Sequence, residues 1–183
     1  MRVITGLYKG RTIKTVRDLS VRPATDRVRQ TIFNMLENRM LLEGSSVLDL
    51  FAGSGSLGIE ALSRGAAHVT FVESGREAVT YLDENLRTLG CEAATEVYGM
   101  DVAGFLDRHR GTHDLVFADP PYAYGGTADL PRRIFGKGMI RPGGYLLIEH
   151  AKDLHFENTP QYRVGPEKRF GRTLVTFFQE QRP

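Results

Sequence analysis

From residue 46 onward, short apolar runs alternate with stretches of helical period, and this pattern limits the chain to a sheet whose strands are joined through helices. The run 45–51 (SSVLDLF) ends in Gly-Ser-Gly, and 56–65 follows with Leu57, Ile59, Ala61 and Leu62 near helical spacing and Gly65 as a stop. A buried strand is predicted at 68–74, and an amphipathic helix at 76–90 with Ala78, Val79, Leu82, Leu86 and Leu89 on one face, closed by Gly90. Further strands are predicted at 94–101, 113–122 and 143–150, with helices at 102–110 and 127–138. Residues 162–180 read as two strands around a turn. Repeated strand-helix units imply a mostly parallel α/β sheet covered on both faces, and the final helix-free pair implies an antiparallel C-terminal edge. Ligands of such sheets bind outside the carboxyl ends of the strands, so the loops at 51–58, 73–75, 99–102 and 119–125 are expected to share one edge.

Ahead of this core, RVITGL and RTIKTV flank YKGR as the arms of a predicted N-terminal β-hairpin, and 24–40 reads as a helix. Val28, Ile32, Phe33, Leu36 and Met40 form its packing stripe, Thr25 or Asp26 is placed to cap it, and Arg22, Arg27 and Arg29 are expected near its start, with Arg27 and Arg29 not fully on the packed face. The net charge is only +2, but residues 1–39 carry nine basic and three acidic residues, a net +6 that leaves −4 for the rest. A basic arm on an acidic body points either to a polyanionic partner, with Lys9, Arg11, Lys14, Arg22, Arg27 and Arg29 as its contacts, or to a solvated hairpin face rich in Lys and Arg. With 183 residues, one domain and a short extension are expected, divided as 1–40 and 41–183, with little room for a separate target-recognition domain. The opening MRVITGLYKGRTI lacks the apolar stretch of a secretory signal, no apolar run reaches membrane-helix length, and Cys91 has no partner; a cytoplasmic setting is expected.

Two motifs carry chemistry. In VLDLFAGSGSLG (47–58), Gly53, Gly55 and Gly58 let the backbone approach a ligand at a helix start, with Phe51 and Ser54 in the same loop. Glu73 follows Gly53 by 20 residues, where a carboxylate can hold ribose hydroxyls. The spacing also fits a dinucleotide site. Asp49, however, is a carboxylate near the end of an apolar strand, which is costly to bury without donors or a cation, and it would repel a pyrophosphate. The second motif is Asp119-Pro120-Pro121-Tyr122. Two prolines hold an extended turn with no N–H to donate, which leaves the Asp119 side chain and the Pro120 carbonyl as acceptors and Tyr122 as a flat platform. An exocyclic base amine, with two N–H donors and a π-face, is the complement. Asp101 is either an adenine-amine acceptor or an ordinary helix cap. The five histidines show no metal-ligand spacing, and no metal is expected.

VLDLFAGSG resembles the first motif of class I S-adenosylmethionine-dependent methyltransferases, and DPPY resembles the fourth motif of amino-group methyltransferases. MRVITGLYKGRTIKTV, VRPATDRVRQTIFNML, VLDLFAGSGSLGIEALSRGA, ADPPY and FGRTLVTFF together resemble the bacterial small-subunit (16S) ribosomal RNA guanine-N2 methyltransferases, the RsmD-type enzymes. The resemblance implies a Rossmann-like class I sheet, S-adenosyl-L-methionine as cofactor held by Asp49, Phe51, Gly53, Ser54, Gly55, Gly58, Glu73 and Asp101, and catalysis through Asp119, Pro120 and Tyr122. It implies a monomer acting on a guanine of 16S ribosomal RNA in the small subunit or its assembly intermediate, with no membrane partner. Competing readings are an adenine-N6 methyltransferase acting on DNA or RNA, a nicotinamide-dependent dehydrogenase, which leaves Asp49 and DPPY unexplained, and a non-catalytic RNA-binding module.

Overall fold

The computed structural model describes residues 1–16 and 26–181. Five α-helices and seven strands lie among them: α1 (Asp26–Glu37), β1 (Ser46–Leu50), α2 (Ser56–Ser63), β2 (His68–Glu73), α3 (Arg76–Leu89), β3 (Thr95–Gly99), α4 (Val102–Arg108), β4 (His113–Ala118), α5 (Leu130–Gly136), β5 (Ile140–Ala151), β6 (Tyr162–Phe170) and β7 (Thr173–Glu180). They form one sheet in the order β3-β2-β1-β4-β5-β7-β6, parallel from β3 to β5, with β7 antiparallel to both β5 and β6. The order reverses between β1 and β4, and this switch point opens the crevice in which an α/β sheet of this kind receives ligands.

Each central strand is buried on both faces, which is why its sequence is nearly continuous in apolar residues rather than alternating. Val47, Val69, Phe71, Leu115, Phe117, Leu147 and Phe177 pack in the layer under α1, α2 and α3; Leu48, Leu50, Val72, Val116, Leu146, Ile148 and Phe178 pack in the opposite layer with α4 and α5. β5 starts earlier than its apolar run suggests, at Ile140, and its register against β4 shifts between His113 and Leu115 to accommodate the Pro-Gly-Gly stretch. β4 stops at Ala118, so Asp119 and the two prolines lie beyond the ladder.

The N-terminal arm folds back on itself as the expected hairpin: Arg2 and Thr12 form an antiparallel bridge, Val3 N donates to the Arg11 carbonyl at 3.0 Å, Gly10 N to the Val3 carbonyl at 2.9 Å and Ile13 N to the Met1 carbonyl at 2.9 Å. The arm is also fastened to α2 and α3. Ile4 N and Thr5 N donate to the Glu60 carboxylate at 2.8 and 3.1 Å, Tyr8 N donates to Ser63 Oγ at 2.9 Å, and Lys14 N donates to Asn85 Oδ1 at 2.8 Å. Val3 and Ile13 join the same core as α1 and the sheet.

The position of Arg29 is a correction. It is fully buried and lies wholly on the packed face. Positions 29, 32, 33 and 36 share one helical stripe, so Arg29 faces inward beside Ile32, Phe33 and Leu36. Its guanidinium donates to the Arg2 carbonyl at 2.5 Å and to Asp26 at 2.8 Å, which fastens the arm to α1. Asp26 thus begins the helix as a partner of Arg29; Thr25 and Arg22 lie outside the described residues. No helix among the described residues is long and apolar enough to cross a membrane.

Candidate active site

The four loops at the carboxyl ends of β1 to β4 do share one edge. β1 delivers Asp49 next to the glycine loop, and Asp49 is 2% exposed. Its Oδ2 accepts the Gly58 N–H at 2.9 Å, so one backbone donor of the α2 start is spent on the carboxylate. Gly58 is held there by close packing: a Cβ would stand 2.3 Å from the Phe71 ring. Burial pushes the Asp49 carboxyl up to about 7, with the Glu73 carboxylate adding to the rise and the Gly58 N–H opposing it. Gly55 caps α2 with φ 87°, a left-handed conformation open to glycine and crowded by Leu82 and Ile59. Ser54 is buried and its carbonyl accepts from Asn85 Nδ2 at 3.0 Å.

Glu73, the last residue of β2, is fixed from both sides. Its Oε2 accepts Gly53 N–H at 2.8 Å and its Oε1 accepts Gly75 N–H at 2.7 Å. Both carboxylate oxygens keep further lone pairs for hydroxyl donors. Asp101 caps α4, accepting from Gly104 N at 2.7 Å, so the cap alternative is realised, and its exposed carboxylate also borders the cavity described next. A cavity of about 150 Å³ runs along this edge, lined by Phe51, Glu73, Ser74, Asp101, Val102, Ala103, Pro121 and Tyr124. Phe51 has φ 61°, a left-handed backbone for an aromatic residue, and its ring meets Tyr124 edge to face with centroids 4.8 Å apart. Strain of this kind persists where surrounding structure overrides it, and such places cluster at ligand sites.

The Asp119 loop completes the edge. Asp119 is held by burial well above the ordinary carboxylate range, and the Glu149 and Asp49 carboxylates push it further. Tyr122 is 73% exposed, an aromatic face without cover. Tyr124 N donates to the Pro121 carbonyl at 2.8 Å, which leaves the Pro120 carbonyl outside that turn's bond.

Glu149 was not singled out from the sequence. It sits on β5 in the row next to Asp119 and lines a small cavity with it beneath Ile32 of α1 and Leu57 of α2. Its carboxyl is raised by burial, against the lowering effect of a hydrogen bond with Thr173. The signal was available: a single acid inside the apolar run GGYLLIEH has the same form as Asp49 in VLDL. Tyr124 and Ser74 were missed because neither belongs to a motif.

The basic arm is not gathered at this edge. Leu7 N donates to the carbonyl of Ser63, the last residue of α2, and the Arg11 guanidinium donates to the Thr88 carbonyl near the end of α3. Both helices start at the carboxyl edge of the sheet, so Lys9 and Arg11 lie toward the opposite end. Lys14 pairs with Glu84 at 2.8 Å, and exposed Arg27 lies in the first turn of α1, whose Arg29 reaches the Ser56 carbonyl at the start of α2 at 3.5 Å.

The family model described as "Conserved hypothetical protein 95" matches residues 1–179. The ribosomal RNA small subunit methyltransferase D of Haemophilus influenzae is 33% identical over 98% of this chain and 93% of its own length. The protein of the same name from Escherichia coli is 32% identical over 99% and 90%. The solved structure described as "Putative methyltransferase yhhF from Escherichia coli" superposes with a TM-score of 0.87 at 32% identity, covering 99% of this chain and 98% of that one.

Proposed function

The chain belongs to the family described as conserved hypothetical protein 95, and from that membership and the acid-lined edge we propose that it methylates the exocyclic N2 of a guanine in 16S ribosomal RNA of the small subunit, using S-adenosylmethionine. The observation that carries the proposal is the acceptor set of the edge. Asp49, Glu73, Asp101 and Asp119 all stand at the strand ends; Glu73 and Asp101 line the larger cavity and Asp119 the smaller, and no lysine or arginine lines either. An all-carboxylate edge fits a cofactor with a cationic amine and sulfonium, and it opposes the pyrophosphate of a dinucleotide. Asp49 and the glycine loop of Phe51, Gly53, Ser54, Gly55 and Gly58 would hold the methionine end, Glu73 the ribose, and Asp101 the adenine amine.

S-adenosylmethionine supplies a methyl group on a positive sulfonium. The protein supplies position. A guanine amine is a weak nucleophile because its lone pair is shared with the ring, and its two N–H groups need two acceptors to leave that lone pair free. Asp119 and the Pro120 carbonyl provide them at the end of β4, and the Tyr122 ring provides a stacking face for a base flipped out of its helix. Fixing two reactants in attack geometry contributes roughly 7–11 kcal/mol in favourable systems. The amine loses one proton as it gains the methyl; Asp119, ionised beside the cationic cofactor, takes it, and burial beside Glu149 strengthens its hold on that proton.

Residues 1–40 serve as an extension of the catalytic domain 41–183, with Lys9, Arg11, Lys14, Arg22 and Arg27 as phosphate contacts that hold RNA without reading its sequence. Arg29 is withdrawn from that set because it is buried in the α1 packing. The protein acts as a monomer in the cytoplasm. The test is methyl transfer from labelled cofactor to small subunits of a strain deleted for the gene, followed by mass-spectrometric mapping. Methylated guanine N2 is expected, and Asp119→Ala abolishes it while leaving cofactor affinity within a few-fold. Product on adenine N6 would replace the guanine assignment, and absence of cofactor binding would leave only the RNA-binding module.

A further inference from the structure

The arm's cations lie largely away from the catalytic edge, but the turn between β6 and β7 carries positive charge beside it. Lys168-Arg169-Phe170-Gly171-Arg172 holds three cations and no acid. Lys168, Arg169 and Arg172 are all exposed, and none makes an ion pair among the described residues. A fourth cation joins them, because Lys152 N donates to the Arg172 carbonyl at 3.3 Å.

Topology fixes where this turn sits. β5 runs parallel to β4 and reaches the carboxyl edge at Ala151, which pairs with Thr173 at the start of β7. The β6–β7 turn therefore projects at the same edge as Asp119 and Tyr122. The register makes the relation finer. Lys168 pairs with Val175 and Val175 with Glu149, so Lys168 stands in the row of Glu149 on the α1 face, two strands away. At about 4.8 Å per strand that is about 10 Å, and β4 with Asp119 is one strand further, about 15 Å. The tip is anchored: Phe170 packs into the core layer under α1, Thr173 Oγ1 donates to the Phe170 carbonyl at 3.1 Å, and Gly171 takes the left-handed turn position at φ 64°.

We propose that the β6–β7 turn, through Lys168, Arg169 and Arg172 with Lys152, is an RNA-docking element that holds the phosphates a few nucleotides from the base presented to Tyr122. The inference rests on the reading of this edge as an RNA methylation site. A polyanion is the required partner because the cations are unpaired, exposed and free of acids within the turn, and RNA is the polyanion whose bases the neighbouring loop can receive. A single-stranded segment whose base is flipped beside the acid edge keeps its phosphates away from the carboxylates. The turn supplies compensating charge on the β5 side.

The experiment measures binding of the full chain to a single-stranded RNA oligonucleotide over a salt series. The variants are Lys168→Ala, Arg169→Ala and Arg172→Ala combined, the same three positions changed to Gln, and Arg163→Ala at the far end of β6. Each phosphate contact on single-stranded nucleic acid contributes about 0.7 to the slope of log affinity against log salt. Both triple variants are expected to flatten the slope by about 2, and Arg163→Ala to leave it as in the wild type. The glutamine set keeps the side-chain stems, so loss in both sets reports charge rather than folding. A slope unchanged in the triple variants, or a wild type that binds RNA with no salt dependence, overturns the proposal. Methyl transfer is read separately: RNA binding that depends on the turn without any methyl product would refute the methyltransferase reading and leave the docking element standing.

Discussion

Asp49 gives the sharpest test of the cofactor site because its protonation and the cofactor's charge are linked. In the free protein the carboxyl is raised to about 7 by burial, with one hydrogen bond from Gly58 N to oppose it. A cationic ligand against Asp49 holds it ionised, so binding below pH 7 releases a proton. The apparent dissociation constant then scales as one plus ten to the power (7 − pH), and affinity is expected to rise roughly tenfold from pH 6 to pH 8, about 1.4 kcal/mol. Titration calorimetry of S-adenosylhomocysteine in buffers of different ionisation enthalpy gives both the affinity and the proton count, expected near one released at pH 6. Asp49→Asn keeps an acceptor for Gly58 N but cannot ionise, and its affinity should be weaker and flat across the range. A wild-type affinity that is flat from pH 6 to 8, or a variant that keeps the wild-type slope, would refute the assignment of Asp49 to the cofactor's cation. The same shift has a stability sign. A carboxyl raised in the folded state contributes stability that is fully present below its ordinary value near 3.8 and lost as pH rises through 7. The cofactor-free protein is therefore less stable at pH 8 than at pH 6 through this group, and saturating cofactor removes the difference.

Two further predictions concern parts remote from the chemistry. His113, buried against Ser46 and His109 at 3.1 and 2.9 Å, is lowered to about 4 by burial, with neighbouring cationic groups adding to the shift. A depressed histidine contributes stability present above its ordinary 6.5 and lost as pH falls through 4, so between pH 7 and 4.5 the wild type should lose about 2 to 3 kcal/mol more than His113→Gln in urea unfolding; equal losses would mean that His113 is already charged in the fold. Gly6 has φ 86°, and a Cβ there would lie 1.6 Å from the Ser63 carbonyl oxygen. Gly6→Ala should lift the arm from α2, break the bonds of Leu7 and Tyr8 to Ser63 and of Ile4 and Thr5 to Glu60, and cost roughly 3 kcal/mol; thermal unfolding measures the cost, and limited proteolysis should cut within residues 1–16 first. A variant with wild-type stability and protection would show that these bonds do not hold the arm.

The strand-helix order was legible because each central strand is apolar throughout and each connecting helix carries one apolar stripe; α3 follows its expected bounds to Leu89, with Gly90 left-handed at φ 70°. The misread parts share a cause. Local pattern assigns a charged or polar residue to the surface unless some partner is visible, and the partners here are distant in sequence. Arg29 lies in the packing stripe because the Arg2 carbonyl, 27 residues away, receives it. The arm pairs as a hairpin between residues 1–3 and 10–13, as its two halves predict, but its docking on Glu60 and Ser63, more than 50 residues on, has no local signal. Glu149 was passed over for the same reason: its neighbour Asp119 is brought beside it by strand pairing alone. The glycine loop and Asp-Pro-Pro-Tyr were legible because their constraints are local. A backbone that must turn tightly, or that must lack an N–H, declares itself in glycine and proline.

The charge of the molecule makes sense once the edge and its rim are separated. Asp49, Asp119 and Glu149 come from adjacent strands and face the same layer under α1 and α2. Burial pushes each of them toward its neutral form, and the carboxylates of Glu149 and Asp49 add to the rise at Asp119. The free edge is therefore less negative than its composition states, and it repels an incoming nucleic acid less than three carboxylates would. A cationic ligand reverses this by favouring ionisation, while its own charge cancels what it creates. Polyanion attraction must then come from beyond the edge, where the field of the acids is screened within about 10 Å at 0.1 M salt. The β6–β7 turn stands about that far from Glu149 by strand spacing, near enough to orient a strand whose base reaches Tyr122 and far enough that its cations are not consumed by the acids of the site.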